Sequence, residues 1–433
     1  MFNLFKKIVT SALVWEARLA VRRWKPKIIG ITGSVGKSSA KEAIAAVLES
    51  RYRVRKSLKS YNSELGLALA VFGLKTAWHN PFGWFKNIIC GFQEAFNLHR
   101  GKPYETSPQI LVLEMGVDRA GDMDRLLRVA RPNIGVVTAI GEIPVHVEFF
   151  AGPEELALEK SNLIKNLTFG DLAVLNFDDD TVLGMKKNTG AKIVTFGFGS
   201  GADIVASNYK ISDDGGAGVS FKIEYEGATV PVRLRSAFGK QAVYASLAAV
   251  AVGIACDMNL IEISEALSKY KPPTGRLRLL SGIKNSSLLD DSYNASPLAT
   301  HAALDTLQEL AAVRKIVAFG DMLEIGKYTI PAHKAVGEKV AKIADYFIAV
   351  GPRSRFAADG AIAQGMDKDR VYCFSTSKEA ASFIKSLVQE GDTVLIKGSQ
   401  SMRMERITEE LLANPEEADK ILARQDKYWK NKE

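Results

Sequence analysis

At 433 residues the chain is too long for one ordinary hydrophobic core, so two or three domains are expected. A content of 47% hydrophobic and 24% charged residues is that of a globular chain, and with no run of about 18 apolar residues no membrane-spanning helix is predicted. The net charge is +8, yet residues 1–60 alone hold 14 Lys and Arg against 3 Glu, so the basicity is local. Nucleic acid, anionic lipid, a phosphorylated small molecule and a plain solvated face all remain open for that patch.

The first predicted element, residues 1–26, is a basic amphipathic helix, with Phe2, Phe5, Ile8, Val9, Leu13 and Leu19 near helical spacing and Lys and Arg between them. It lacks the small-residue cleavage site of a secretory signal. Docking on the chain's own core is one use for it, and peripheral membrane contact through residues 1–25 is the other. From Lys27 the segments KIIGIT, KEAIAAVLES, ILVLEMG, NIGVVTAIG, DLAVLNF and AKIVTFG alternate strand with helix, which predicts a mostly parallel, doubly wound α/β sheet. The aromatic-rich stretch from Trp78 to Phe96 is expected to form a helical hairpin packed on that sheet. Residues 201–236 switch to period two with turn signals at Asp213, Asp214, Gly215 and Gly216, the pattern of a small antiparallel β insertion. After the breaker Lys271-Pro272-Pro273-Thr274-Gly275, the series SSLLDDS, KIVAFGD, YFIAVG, RVYCF and DTVLIKGS predicts a second, Rossmann-like α/β domain over 274–433, following a first over 27–273. Cys90, Cys256 and Cys373 are far apart in sequence and form no metal or redox spacing, so a reducing cytoplasm is the natural setting.

Chemistry concentrates at KIIGITGSVGKSS, where an apolar strand runs through a glycine loop into a helix. Backbone N–H groups of Gly33, Val35, Gly36 and Lys37 are placed to wrap phosphates, the helix N-terminus favours an anion, Lys37 adds a point charge and Ser38 a hydroxyl for Mg2+. The first glycine sits at Gly30, one residue earlier than the strict phosphate-loop pattern, where Ile31 stands. Glu114 ends the strand ILVLEMG, so its carboxylate is expected at the carboxyl edge of the sheet, where ligands of open α/β folds bind. His146 follows the next strand, and Lys160 lies late in the helix begun by Pro153-Glu154-Glu155. Each alone reads equally as structural.

Together, Gly30-Ile31-Thr32-Gly33 through Gly36-Lys37-Ser38, with Glu114, His146 and Lys160, resemble the central domain of the Mur ligases and their folylpolyglutamate-synthetase relatives, in which the glycine offset is usual. In the second half, Gly275-Arg276, the run Leu289 to Pro297, Gly320-Asp321-Met322-Leu323-Glu324-Ile325-Gly326 with His333, and Lys397-Gly398-Ser399 through Met404-Glu405 are similar to the branch that adds D-alanyl-D-alanine. The resemblance spans Lys27 to about Arg406. About 25 residues of basic helix stand where the family usually has its uridine-nucleotide domain. Gly239-Lys240-Gln241-Ala242 replaces the usual segment near adenine, and Thr138-Ala139-Ile140-Gly141 the usual strand end.

What the resemblance implies is an ATP-dependent amide ligase of peptidoglycan-precursor synthesis. It would join a muramoyl tripeptide carboxylate donor to D-alanyl-D-alanine through an acyl phosphate, with small-molecule substrates and no nucleic acid. It also implies contacts to ATP from Thr32, Gly33, Ser34, Val35, Gly36, Lys37, Ser38, Ser39, Arg276, Asp291 and Asn294. Mg2+ would be held by Ser38, Glu114, His146 and a carbamylated Lys160, and catalytic roles fall to Lys37, Lys160, His146 and Arg276. Substrate contacts are expected from Asn62, Asp321, Glu324, His333, Lys397 and Ser399. Two rivals stay open: a related ligase for a polyglutamate, cyanophycin-like or cofactor carboxylate, and a non-catalytic nucleotide-binding scaffold.

Overall fold

The computed structural model describes residues 2–58, 63–78, 80–96, 107–212 and 218–430. Two sheets organise them. The larger is built from β1 Lys27–Thr32, β2 Val54–Lys56, β3 Ile110–Glu114, β4 Ile134–Val137, β5 Leu172–Asn176, β6 Lys192–Gly197, β7 Ile204–Ser212, β8 Gly218–Tyr225 and β9 Ala228–Arg235. Their order is β2-β3-β1-β4-β5-β6-β7-β8-β9, parallel as far as β7 and antiparallel beyond. The central strands read as continuous apolar runs because both of their faces are covered. The period-two segment is no detached unit: β7 pairs in parallel with β6 through Phe196 and Ile204, so the hairpins extend the same sheet.

On one face lie α2 Lys37–Leu48 and, further along, the long apolar helix Gly239–Ile254, joined in one core by Ile44, Val47, Val243, Leu247 and Val250. The other face carries α1 Phe2–Trp24, α3 Glu64–Phe72, α4 Pro81–Phe96 and α5 Asp122–Val129. In α1, Val9, Leu13, Ala17 and Ala20 recur at helical spacing and are buried against that face. Docking on the chain's own core is therefore one fate of the basic helix. The expected hairpin at 78–96 is corrected to one helix, α4, lying on α1. Close approach explains it: a Cβ at Gly91 would overlap the Glu16 carboxylate and stand 3.2 Å from Phe72, so one uninterrupted helix with glycine at the contact fits.

The smaller sheet contains β10 Arg278–Ser281, β11 Ser287–Asp291, β12 Lys315–Gly320, β13 Tyr346–Val350, β14 Val371–Phe374 and β15 Thr393–Lys397, in the order β10-β11-β15-β12-β13-β14. Only the β10–β11 pairing is antiparallel. Apolar cores cover both of its faces. The carboxyl ends of β1 and β4 in one sheet, and the loops after β11 and β12 in the other, converge on a shared cleft.

Candidate active site

The loop after β1 is positioned from β4. Ala139 accepts hydrogen bonds from the N–H groups of Ser34 and Val35, at 2.6 and 3.0 Å, and Thr138 Oγ1 donates to the Val35 carbonyl at 2.6 Å. Val35 N–H is thus committed to Ala139, a correction to its expected place in a phosphate-wrapping set. Gly33 and Gly36 take φ of 141° and 90°, and a Cβ at Gly33 would overlap Thr138 Oγ1, so glycine is required there on two counts. Gly36 leads directly into α2 as its N-cap, without a side-chain cap, so the first amides of that helix have no partner within it. Lys37 folds back and its Nζ donates to the Gly33 carbonyl at 2.8 Å. Burial pulls its pKa below the usual lysine value. The Glu114 charge opposes that shift and Arg276 adds to it.

Ser38 and Glu114 meet as the strand-end argument expects. Ser38 Oγ stands 3.0 and 3.3 Å from the two Glu114 carboxylate oxygens, both side chains buried, and Lys41 Nζ lies 3.9 Å from the same carboxylate. A hydroxyl and a carboxylate beside a phosphate loop form the hard-oxygen donor pair that suits Mg2+, which completes its shell with phosphate oxygens and water. Among the described residues no three of His, Cys, Asp and Glu gather into a metal-binding group. His146, at φ 72°, has Nδ1 2.7 Å from Glu324 and Nε2 3.4 Å from Asp118, so its ring faces the smaller domain's loop. The His146 contact holds the Glu324 carboxyl below its usual value.

Lys160 is 1% exposed, with no hydrogen bond or ion pair among the described residues. Burial first, and then the Lys37 charge, push its pKa well below the ordinary lysine value, while Asp118 and Glu159 oppose. The consequence is an amine biased towards its neutral form. Asp118, which acts electrostatically on both Lys37 and Lys160 and touches His146, was missed by sequence reasoning. Its signal was its place four residues beyond Glu114 in the same strand-end loop.

Arg276 lies half-buried across the cleft, its guanidinium 4.4 Å from the centroid of the Tyr293 ring. Arg424 covers the same ring at 5.0 Å, donates to the Ser292 carbonyl at 3.2 Å and to that of Tyr293, and pairs with Glu405 at 2.9 Å. Asp291 is ion-paired with the buried Lys397, which also donates to the Asn294 carbonyl at 3.0 Å. Asn294 turns its side-chain oxygen onto the Ala295 amide, and Ser296 caps the helix opened by Pro297. Asp321 accepts from the amides of Arg353 and Ser354, at 3.0 and 2.7 Å, and Ser399 Oγ accepts from Leu323 N–H at 2.9 Å. His333, fully buried, accepts from Met322 N–H at 3.0 Å, which leaves Nδ1 as the donor to the Thr329 carbonyl at 2.6 Å. Asp321, His333, Lys397 and Ser399 thus hold the 320–326 loop and the 291–294 turn. Glu324 stands out from them into the cleft. Asn62 lies outside the described residues.

From the phosphate loop a cavity of about 680 Å3 opens between the domains, lined by Asn176, Asp179, Gln241, Tyr244, Leu298 and His301 among others. Tyr244 donates to Asp178 at 2.8 Å, and Asp179 accepts from the amides of Ile140 and Gly141, at 2.8 and 3.0 Å. Ser39, Tyr270, Arg276 and Asp291 line a smaller recess next to the loop. The larger recess falls within the usual volume range of small-molecule and cofactor sites, and Arg276 lines the smaller one.

Residues 95–253 match the Mur ligase middle domain, and residues 275–400 match the Mur ligase glutamate ligase domain. A UDP-N-acetylmuramoyl-tripeptide--D-alanyl-D-alanine ligase of Bacillus subtilis (strain 168) is 29% identical over 408 residues, covering 94% of this chain and 80% of that protein. The ligase of the same name from Mycobacterium tuberculosis (strain ATCC 25618 / H37Rv) is 28% identical, over 89% of this chain and 73% of its own. In fold, the chain is similar to the crystal structure of the MurF ligase from Thermotoga maritima in complex with ADP, with a TM-score of 0.75 at 23% identity over 93% of this chain and 83% of that one.

Proposed function

The chain belongs to the Mur ligase family and is an ATP-dependent ligase that uses Mg2+, and on that premise we propose that it adds D-alanyl-D-alanine to a UDP-N-acetylmuramoyl tripeptide. The observation that carries the substrate assignment is the likeness to ligases named for that reaction across both domains, at 29% identity over nearly the whole chain. The γ-phosphoryl of ATP passes to the donor carboxylate, ADP leaves, and the amine of D-alanyl-D-alanine displaces phosphate from the acyl phosphate to form the amide. Phosphoryl transfer rests on positioning and charge neutralisation. Lys37 and Arg276, approaching from the two sides of the cleft, supply cations for the transferring group. The amides of Gly36, Lys37 and Ser38 cradle the polyphosphate. Thr32, Gly33, Ser34, Val35 and Ser39 shape that cradle, and Asp291 and Asn294 border its sugar end.

Ser38 and Glu114 would hold Mg2+, whose bound charge offsets that of the phosphates. Lys160 fits a carbamate, because CO2 adds only to a neutral amine and burial favours that form here. The resulting anion is attracted to the Lys37 cation that disfavours a protonated Lys160. His146, bridging Asp118 and Glu324, serves as an orienter joining the metal side of the cleft to the acceptor loop. On the acceptor side Glu324 reaches the substrate, while Asp321, His333, Lys397 and Ser399 hold the loop that presents it. The free thiols of Cys90, Cys256 and Cys373 fit a reducing cytoplasm as the compartment of the reaction.

The deciding measurement is phosphate release with ATP and D-alanyl-D-alanine, with and without UDP-N-acetylmuramoyl tripeptide. Release that needs both co-substrates is expected. Turnover with a polyglutamate or cofactor carboxylate and none with any muramoyl peptide would reassign the donor within the same family.

A further inference from the structure

Helices α1 and α4 lie side by side on the outer face of the larger sheet and leave large apolar side chains in water that the ATP site does not use. In α4, Trp84, Asn87, Gly91 and Ala95 form the buried face. Phe82, Phe85, Ile89 and Phe92 recur on another face at three-, four- and three-residue steps and are 85%, 64%, 42% and 42% exposed. They make one continuous stripe. On α1, Ile8 and Trp15 are likewise exposed, at 59% and 56%. Six cations of the first 25 residues, Lys6, Lys7, Arg18, Arg22, Arg23 and Lys25, are exposed around them, and Lys86 lies beside the stripe. Arg23 reaches α4 directly, its guanidinium 5.2 Å from the centroid of the Phe96 ring.

Neither helix offers an exposed acid to balance these charges. Glu16 is buried between the two helices, and Glu94 is turned to Arg55 at 3.4 Å. A second copy seated face to face would set seven cations against seven, so a self-complementary dimer is disfavoured. Aromatic and aliphatic side chains interleaved with uniformly basic ones suit a surface that is apolar below and anionic at its rim. We propose that the α1–α4 face is a peripheral docking surface for anionic phospholipid, with Phe82, Phe85, Ile89 and Phe92 entering the interface and the cations meeting headgroups. No helix among the described residues is long and apolar enough to cross a membrane, so the contact is made from one side. The inference does not depend on which carboxylate the ligase uses.

Sedimentation of the full chain with vesicles of phosphatidylglycerol, compared with vesicles of phosphatidylcholine, tests it. Each basic residue near an anionic surface contributes roughly fivefold in partitioning, so binding to phosphatidylglycerol should exceed binding to phosphatidylcholine by more than tenfold and weaken with salt. Phe85→Ser/Ile89→Ser and, separately, Arg18→Glu/Arg22→Glu should each reduce it at least tenfold, with the circular dichroism spectrum and phosphate release in solution unchanged. Equal binding to both lipids would overturn the proposal, as would binding that ignores Phe85→Ser/Ile89→Ser. A wild-type dimer that this variant dissolves, with no vesicle binding, would assign the face to a second copy instead.

Discussion

Arg424 lies beyond the 275–400 match, yet it is built into the support of Arg276. Its side chain is 3% exposed and that of its partner Glu405 is fully buried. Removing one member of a buried ion pair costs about 3–5 kcal/mol because the other charge is left uncompensated. Arg403, 2.6 Å from the second Glu405 oxygen, keeps part of the neutralisation and points to the lower end of that range. Loss of the cation–π contact with Tyr293 adds about 0.5–1 kcal/mol. Arg424→Leu should therefore destabilise the smaller domain by about 3–4 kcal/mol, lowering its melting transition by about 10 °C in differential scanning calorimetry. Arg424→Lys keeps the charge and loses the planar fork, so roughly half of that shift should return. At a temperature where the variant is folded, a tilted Tyr293 should misplace Arg276 and reduce kcat about tenfold. A shift below about 2 °C for Arg424→Leu, or wild-type kcat with a lowered melting point, would refute the coupling of this segment to the site.

Gly33→Ala forces a Cβ onto Thr138 Oγ1 and to 3.1 Å from the Ala139 carbonyl at a φ of 141°, so nucleotide binding by isothermal titration should fall by about a hundredfold or more. Retained affinity would show that the loop relaxes at little cost. Lys160→Arg places a permanent cation there and cannot take up CO2. It should lose ligase activity, and the wild-type rate should rise with added bicarbonate in CO2-depleted buffer; bicarbonate independence would dismiss the carbamate. Burial raises the Asp290 carboxyl to about 6, so the folded chain holds this proton more tightly than the unfolded chain does. Stability is then lost as pH rises from about 4 through about 6, at a cost of order 3 kcal/mol that persists above. Asp290→Asn, which retains an acceptor for Thr408 and the Ser292 amide, should raise the melting temperature by several degrees at pH 8 and much less at pH 5. An equal gain at both would place the cause elsewhere.

The phosphate end of the site was legible because its residues are unusual where they stand. Glycines on either side of a strand–helix junction, followed by Lys37 and Ser38, have few other uses, and Glu114 sits at a strand end whose ligand-facing edge follows from topology. The larger recess beside it was not legible. Asn176, Asp179, Gln241, Tyr244 and His301 come from separate elements, and only folding makes them neighbours. Asp321, His333 and Lys397 were legible as positions, while their work as buried loop supports depends on partners such as the Arg353 amide and Asp291 that no local pattern announces. The single helix α4 was hidden because Phe82, Phe85 and Phe92 are exposed while Asn87, Gly91 and Ala95 face the core, which inverts the apolar-inward pattern that normally marks a packed helix.

The charges at the cleft supply a physical reason for nucleotide binding to favour its closure. Lys37 depresses the pKa of Lys160, and Arg276 depresses that of Lys37. Lys37 belongs to the larger domain and Arg276 to the crossing between domains, so their repulsion opposes closure of the cleft while no anion lies between them. Glu114 acts on Lys37 more strongly than Arg276 does, and Asp118 adds to it, so the repulsion is only one contribution to the balance. A polyphosphate placed between Lys37 and Arg276 would turn that repulsion into two attractions, and a carbamate on Lys160 would add a negative charge to the same region. Closure is thereby coupled to nucleotide binding through the differential affinity that any such shift requires. The acyl phosphate is then formed in the state that excludes water, where attack by the amine is favoured over hydrolysis.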